Sequence, residues 1–382
     1  MSASASSSRA ESSGPLGLES PAGNPRYPLF DGLRALAALL VFANHCNQAR
    51  PIGGVIGKLT AHANAGVAIF FLISGFLLYR PFVSARLGLA PAITARAFYV
   101  RRLLRIVPAY WVALILLAIF PGLVGWSSHW WLMFSFGQIY DPKTYDIGIA
   151  PAWSICIEMT FYAVLPLYAL AATKLLTDRR GRRWLALELG GLLVLSLLAI
   201  AYHKLTHQAH GHSNLLGTFY LFATGMGLAS ASVAWEGTRI PQLIDRCASW
   251  SWAFAIALFI ALSFGVSANT LGSVHPIYAV LALALLLPAT VRSTRANLPA
   301  RVLSLRPIAW LGLVSYGIYL WHQNLIFYFA DHIHSGALVF LASAVLTLVM
   351  ASLSYYVVEA PFLRVKARLA GRAPRYAYRY AY

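Results

Sequence analysis

Ten apolar stretches of about twenty residues, separated by short polar segments, leave this chain few folds to choose from. They fall near 29–48, 63–81, 104–121, 150–173, 184–203, 214–235, 249–267, 274–290, 308–331 and 335–358. Inside a bilayer every backbone N–H and C=O must find a partner within the protein, and a helix does this within one segment. The expected fold is therefore all-α: a polytopic integral membrane bundle of about ten transmembrane helices. Composition agrees. Only 11% of the 382 residues are charged and 59% are hydrophobic, against about 25% charged in a soluble domain. A soluble enzyme, a fibrous protein, a disordered chain and a disulfide scaffold are excluded on that ground.

The charge that remains is distributed by side. Twenty-five of the 30 Lys and Arg fall in the tail before the first span, in the loops after the even-numbered spans and in the C-terminal tail. Four fall in the loops after the odd-numbered spans, and Arg34 lies within the first. Such asymmetry predicts an even number of crossings with both termini cytoplasmic, in a cell (inner) membrane. The net charge of +18 is thereby assigned to topology, with no nucleic-acid partner and the lipid bilayer as surroundings. Three regions are expected: a disordered tail over 1–28, a transmembrane domain over 29–364 and a basic cytoplasmic tail over 365–382. With 24 residues after the tenth span, the chemistry is expected to reside in the bundle. The segment Trp130–Tyr140 is apolar but short, which suits a re-entrant or interfacial piece.

Ionisable residues within spans are costly and tend to mark function. Arg34 and His45 lie eleven residues apart in the first span, about 16 Å of rise and about 20° past three full turns, so they share one face. Glu158, in Trp153-Ser154-Ile155-Cys156-Ile157-Glu158, is a carboxylate that needs a partner, and His45 and Arg34 are the candidates. Beside His45 it would orient the imidazole; the plainer alternative is a structural Glu–Arg pair. Arg101, Arg102 and Arg105 cluster on one helical face, a spacing that suits phosphate or a lipid-facing anchor. His322 ends a polar and aromatic patch beginning at Ser315-Tyr316, where it could line a cavity or satisfy a carbonyl. Glu359, at the end of the last span, is expected to pair with loop arginines.

Other chemistry finds little support. His203, His207, His210 and His212 crowd one loop, but no acidic or cysteine ligand stands nearby, and no metal site is expected. The three cysteines, Cys46, Cys156 and Cys247, read as buried thiols. Phosphate-loop, zinc-protease and serine-hydrolase motifs are absent from the sequence. A secondary transporter, which also combines many spans with buried Arg, Glu and His, is the competing class.

Taken in order, these segments resemble the acyltransferase family 3 of membrane acyltransferases. Phe30-Asp31-Gly32-Leu33-Arg34-Ala35-Leu36-Ala37 is similar to its opening motif, and Arg34 with His45 to its pattern of a basic residue, ten spacers and a histidine. Phe70 through Leu78, including Ser74, resembles its second-helix signature, and Arg102-x-x-Arg105 its R-x-x-R motif. Trp153-Ser154 through Glu158-x-x-Phe161-Tyr162, Ser315-Tyr316 through Trp321-His322, and Glu359-Ala360-Pro361 complete the series. Asn324 departs from the proline that members often carry two residues after the ninth-helix histidine. Many members also bear a C-terminal SGNH-type hydrolase domain that hands the acyl group onward. This sequence holds none, which implies an acceptor that reaches the bundle itself.

The resemblance implies O-acylation of a hydroxyl on a carbohydrate, a glycan or a small natural product, with acetyl-CoA or another acyl-CoA as donor and no metal. It makes His45 and Glu158 the catalytic candidates and Arg34, Arg102 and Arg105 the donor-binding ones. Ser74, Trp153, Tyr316 and His322 are the expected cavity-lining residues.

Overall fold

A computed structural model describes residues 27–176, 183–210, 214–265, 271–291 and 297–369, with the side chains of 206–210, 271–275 and 366–369 excepted. Residues 1–26 and 370–382 of the two expected tails lie outside these residues, as do 211–213; His203, His207 and His210, expected in a loop, belong to the helix Arg183–His210. Among the described residues there are helices and no strands. Eight helical segments among the described residues are long and apolar enough to cross a membrane. The chain is an all-α polytopic membrane bundle.

The first expected span is α1 (Leu29–Ala49). A short helix, α2 (Gly54–Ala61), then leads into α3 (Ala65–Arg86), and α4 (Ala95–Ile119) follows. The short aromatic segment forms α5 (Trp126–Phe134) and a single 3-10 turn, Gln138–Tyr140, which agrees with a piece too short to cross. Next come α6 (Ala152–Leu175), α7 (Arg183–His210), α8 (Leu215–Ala234) and α9 (Ile240–Gly265). The eighth expected span is α10 (Leu271–Ala289), and α11 (Leu298–Leu303) is one short turn after it. The ninth span is divided into α12 (Arg306–Leu313) and α13 (Ser315–His332). The last is α14 (Gly336–Leu353), which runs through a π-helical stretch, Ser354–Glu359, into α15 (Ala360–Leu369).

Neither α10 nor α13 is among the eight segments that qualify by length and hydropathy. Helix α10 has only the shorter apolar run Pro276–Ala289. Helix α13 carries Ser315, Tyr316, His322, Gln323 and Asn324, which lower its hydropathy and supply polar groups to the interior.

Lipid offers no hydrophobic drive for helices to associate, so close backbone approach and polar pairs must hold the bundle. Helices α3 and α8 illustrate the first device. A Cβ on Gly75 would collide with the Phe222 carbonyl, and one on Gly225 with the Leu72 carbonyl. Two glycines thus let the helices touch backbone to backbone from both sides. The outward face of α7 shows the complement: Leu193, Leu197 and Leu198 are exposed, as lipid-facing side chains should be.

The second device is not expected from the sequence. Glu188 of α7 is 2% exposed and pairs with Arg86 of α3, which is 6% exposed, at 2.5 Å. The Tyr79 hydroxyl donates to the same carboxylate, and the Arg86 guanidinium lies 5.3 Å from the Trp184 ring. Nearby, Arg80 pairs with Glu236 and donates to the Ser232 hydroxyl at 3.1 Å. Breaking a buried pair leaves one charge stranded, at a cost of about 3–5 kcal/mol. Glu188→Leu is accordingly expected to lower the thermal unfolding temperature of the detergent-solubilised protein. Adding Arg86→Met should restore most of it.

Of the three cysteines, Cys46 and Cys156 are buried as expected, and Cys247 is exposed. That exposure corrects the sequence reading: α9 turns Cys247 outward, since its buried positions nearby are Asp245 and Ala248.

Candidate active site: an arginine-lined cavity beside a histidine pair

One partly open cavity, of about 80 Å³, lies among α1, α3, α4, α6 and α13. Three guanidinium groups line it. Arg34 comes from α1, and Arg102 and Arg105 from successive turns of α4. The i,i+3 spacing of the α4 pair sets both side chains on one face, and that face is turned inward. Arg34 donates through Nε to the Ser315 hydroxyl at 3.3 Å and lies 5.9 Å from the Phe70 ring centroid. Arg102 lies 5.9 Å from the Phe98 ring, and its Nε is buried without a hydrogen-bond partner. A cationic donor held in a partly enclosed, low-dielectric space suits an anion.

Glu158 of α6 lines the same cavity. Its carboxylate accepts from the Ser74 hydroxyl of α3 and from Tyr162 one turn along its own helix. Two hydroxyls of α13 fix the remaining wall. Tyr316 donates to the Ile106 carbonyl at 2.9 Å, and Tyr319 donates to the Pro151 carbonyl at 3.2 Å while lying 2.6 Å from the Ser154 hydroxyl. Helices α1, α3, α4, α6 and α13 are thereby tied together around the cavity by their polar side chains.

Six of the residues expected in the site therefore share this space: Arg34, Arg102, Arg105, Ser74, Glu158 and Tyr316. Trp153 does not line it; the side chain is partly buried against the apolar core, one position before Ser154. His45 and His322 stand next to the cavity and meet each other. Their Nδ1 and Nε2 atoms, respectively, are 2.7 Å apart, and the rings stack at 4.9 Å with 26° between planes. Tyr319 links the two features, since it lines the cavity and its ring centroid is 5.6 Å from that of His322.

The expected contact between Glu158 and His45 is not formed. Helix α1 packs mainly on α12, α13 and α3, whereas α6 packs on α3, α4 and α8, so α3 is the main neighbour the two helices share. The partner that His45 finds is His322. Glu359 is brought inward by the π-helical stretch, is 6% exposed, and has Arg105 and Arg34 as the cations acting on it. Those two arginines sit on spans rather than in loops.

Tyr319 and Ser154 line the cavity although neither is among the expected site residues, Ser154 being named only as part of its motif. A signal exists for Tyr319, three residues from both Tyr316 and His322 and so beside each of them on the helix surface. Among the described residues, no group of three or more His, Cys, Asp or Glu is gathered as for a metal. The side chains of His207 and His210, and all of His212, lie outside those residues.

Comparison with known proteins gives the family. The chain is similar to the peptidoglycan O-acetyltransferase OatA of Listeria monocytogenes, 26% identical over 321 residues, covering 78% of this chain and 49% of that protein. It is likewise similar to the putative peptidoglycan O-acetyltransferase YrhL of Bacillus subtilis, 26% identical over 360 residues, covering 87% of this chain and 54% of the relative. The O-acetyltransferase OatA of Staphylococcus aureus is 24% identical over 364 residues, which cover 88% of this chain and 57% of that one. The chain thus spans about half the length of the curated relatives it matches. No solved structure matches it. The family model of the acyltransferase domain, acyltransferase family 3, matches residues 27–358, which is nearly the whole described bundle, and the chain belongs to that family.

Proposed function

We propose that this protein moves an acetyl group from a coenzyme A thioester to a hydroxyl of a cell-surface glycan, within the cytoplasmic membrane. The observation that carries the reading is the joint presence of three arginines in one cavity and a histidine pair beside it. Coenzyme A is rich in phosphate, and forked guanidinium donors match phosphate oxygens. Arg102 and Arg105 hold the phosphates, with Arg34 further along the cavity. Both termini lie in the cytoplasm by the distribution of Lys and Arg, so the donor enters from that side.

Arg34 and His45 are separated by about 16 Å along α1, comparable to the reach of an extended pantetheine arm. The thioester is thereby brought to His45. His45 takes the proton of the acceptor hydroxyl as its oxygen bonds to the acyl carbon and the carbon–sulfur bond breaks. The proton then passes to sulfur, and coenzyme A leaves as the thiol. Glu158, held by Ser74 and Tyr162, balances the arginine charge on the cavity wall. A glycan is favoured over a small natural product because the relatives from Listeria and Bacillus carry peptidoglycan in their names. Secondary transport loses its support with membership of an acyltransferase family.

The test is transfer from acetyl-labelled coenzyme A in membranes carrying the protein, with polysaccharide recovered and its ester-linked label released by mild base. Label in glycan above that of membranes lacking the protein supports the reading. Label confined to small molecules would replace the glycan with a natural-product acceptor. No protein-dependent label in either would overturn acyl transfer.

A further inference from the structure

We propose that His322 is a positioning residue that holds His45 as the Nδ1–H tautomer and leaves Nε2 of His45 as its basic nitrogen; the catalytic consequence rests on the acyl-transfer reading above. Two contacts of His322 decide its own state first. Its Nδ1 is 3.0 Å from the Ile318 carbonyl oxygen and 3.0 Å from that of Tyr319. Carbonyl oxygens only accept, so Nδ1 of His322 carries a hydrogen. In a neutral ring Nε2 then bears the lone pair.

That lone pair faces His45. The two nitrogens are 2.7 Å apart, and one of them must donate. With His322 Nε2 as acceptor, His45 Nδ1 is the donor, and the unprotonated nitrogen of His45 is Nε2. The state of the second ring therefore follows from two backbone carbonyls on α13 through a single relay of donors and acceptors. Burial fixes it in place: His322 is 1% exposed, stacks on His45, and has Tyr319 and Phe42 against its ring at 5.6 and 6.3 Å. Nothing in this relay requires a carboxylate.

Catalytically, a base must present its lone pair to the acceptor hydroxyl at the start of the reaction. A ring free to exchange tautomers spends part of its time with hydrogens on the wrong nitrogen. His322 removes that fraction and anchors the ring's orientation, without touching either substrate.

The experiment reads tautomers directly, by two-bond proton–nitrogen correlation on protein labelled with ¹⁵N-histidine and held in lipid nanodiscs. Signals of the two rings are assigned by comparison with His45→Gln and His322→Gln. The expected result is a protonated Nδ1 and a bare Nε2 for both rings, with His45 shifted to the Nε2–H form or a mixture in His322→Leu. His322→Gln, whose side-chain oxygen still accepts, should keep the Nδ1–H form, and it serves if the leucine variant does not fold. An Nε2–H ring at His45 in the unaltered protein, or a His45 signal indifferent to His322→Leu, overturns the proposal. So does a doubly protonated His322, which would make His45 the acceptor. In transfer assays His322→Leu should lose about tenfold or more in kcat, as for the outer partner of a ligating histidine. The donor KM should stay within about twofold, because the phosphate-holding residues are untouched. Equal loss in the leucine and glutamine variants would also count against it. Because the tautomer is read without turnover, failure of the acyl-transfer reading and failure of this one give different results.

Discussion

His45→Ala is expected to lose acyl transfer by about 10²- to 10⁴-fold in kcat, the usual worth of a positioned general base. The protein should remain folded. His45 is only half-buried, and its loss leaves one unmet acceptor on His322, a cost of about 1–3 kcal/mol. Donor binding should be nearly unchanged, because Arg34, Arg102 and Arg105 approach the cavity from α1 and α4 without leaning on the His45 ring. The expected pattern is therefore a kcat effect with an intact donor Kd and a modest fall in unfolding temperature. Near-native turnover in a folded His45→Ala protein would remove His45 from the chemistry. Weakened donor binding of the same size as the kcat loss would make its role one of ground-state contact.

How much of the bundle is legible in the sequence follows from which forces act locally. A span declares itself by about twenty apolar residues in a row, and among the described residues eight segments qualify on length and hydropathy, whereas α10 and α13 do not. Even so, α2 within the loop after the first span and the division of α12 from α13 escape such a reading. Both depend on where the backbone turns, not on how apolar it is. That Arg102 and Arg105 share one face of α4 is legible too, from helical geometry alone, but that this face turns inward is not.

Partners across helices are not legible. The sequence invites a pair between Glu158 and His45 because both are ionisable residues within spans. Which helices touch is settled instead by small residues such as Gly75 and Gly225, and those bring α3 against α8. Glu188 stands for the same difficulty: a carboxylate in an apolar run is conspicuous, yet its partner Arg86 reads as a loop residue until α3 is seen to extend that far. By sequence, His322 could equally line a cavity or satisfy a carbonyl. It does the second with one nitrogen and meets His45 with the other.

Removing both cavity-facing arginines of α4 tests the donor site without knowledge of the acceptor. Each charge-assisted hydrogen bond contributes about 1.5–3 kcal/mol, and about 1.4 kcal/mol is tenfold in affinity. Arg102→Ala with Arg105→Ala is thus expected to weaken acetyl-CoA binding by about two orders of magnitude, seen as loss of ligand-dependent thermal stabilisation in detergent. Two controls separate recognition from general charge. Arg101→Ala, on the same turn but not lining the cavity, should bind nearly as the unaltered protein does. Arg102→Lys keeps the charge and loses the fork, and it should fall between. Free coenzyme A should stabilise the protein about as well as the acetylated form, since the arginines read phosphate and not the thioester. If neither ligand stabilises well-folded protein at millimolar concentration, coenzyme A is not the donor. The arginines would then bind another anion, and His45 would still need a source of acyl groups. If binding survives the double substitution, the phosphates dock elsewhere, and Arg34, on the neighbouring helix of the same cavity, becomes the first residue to replace.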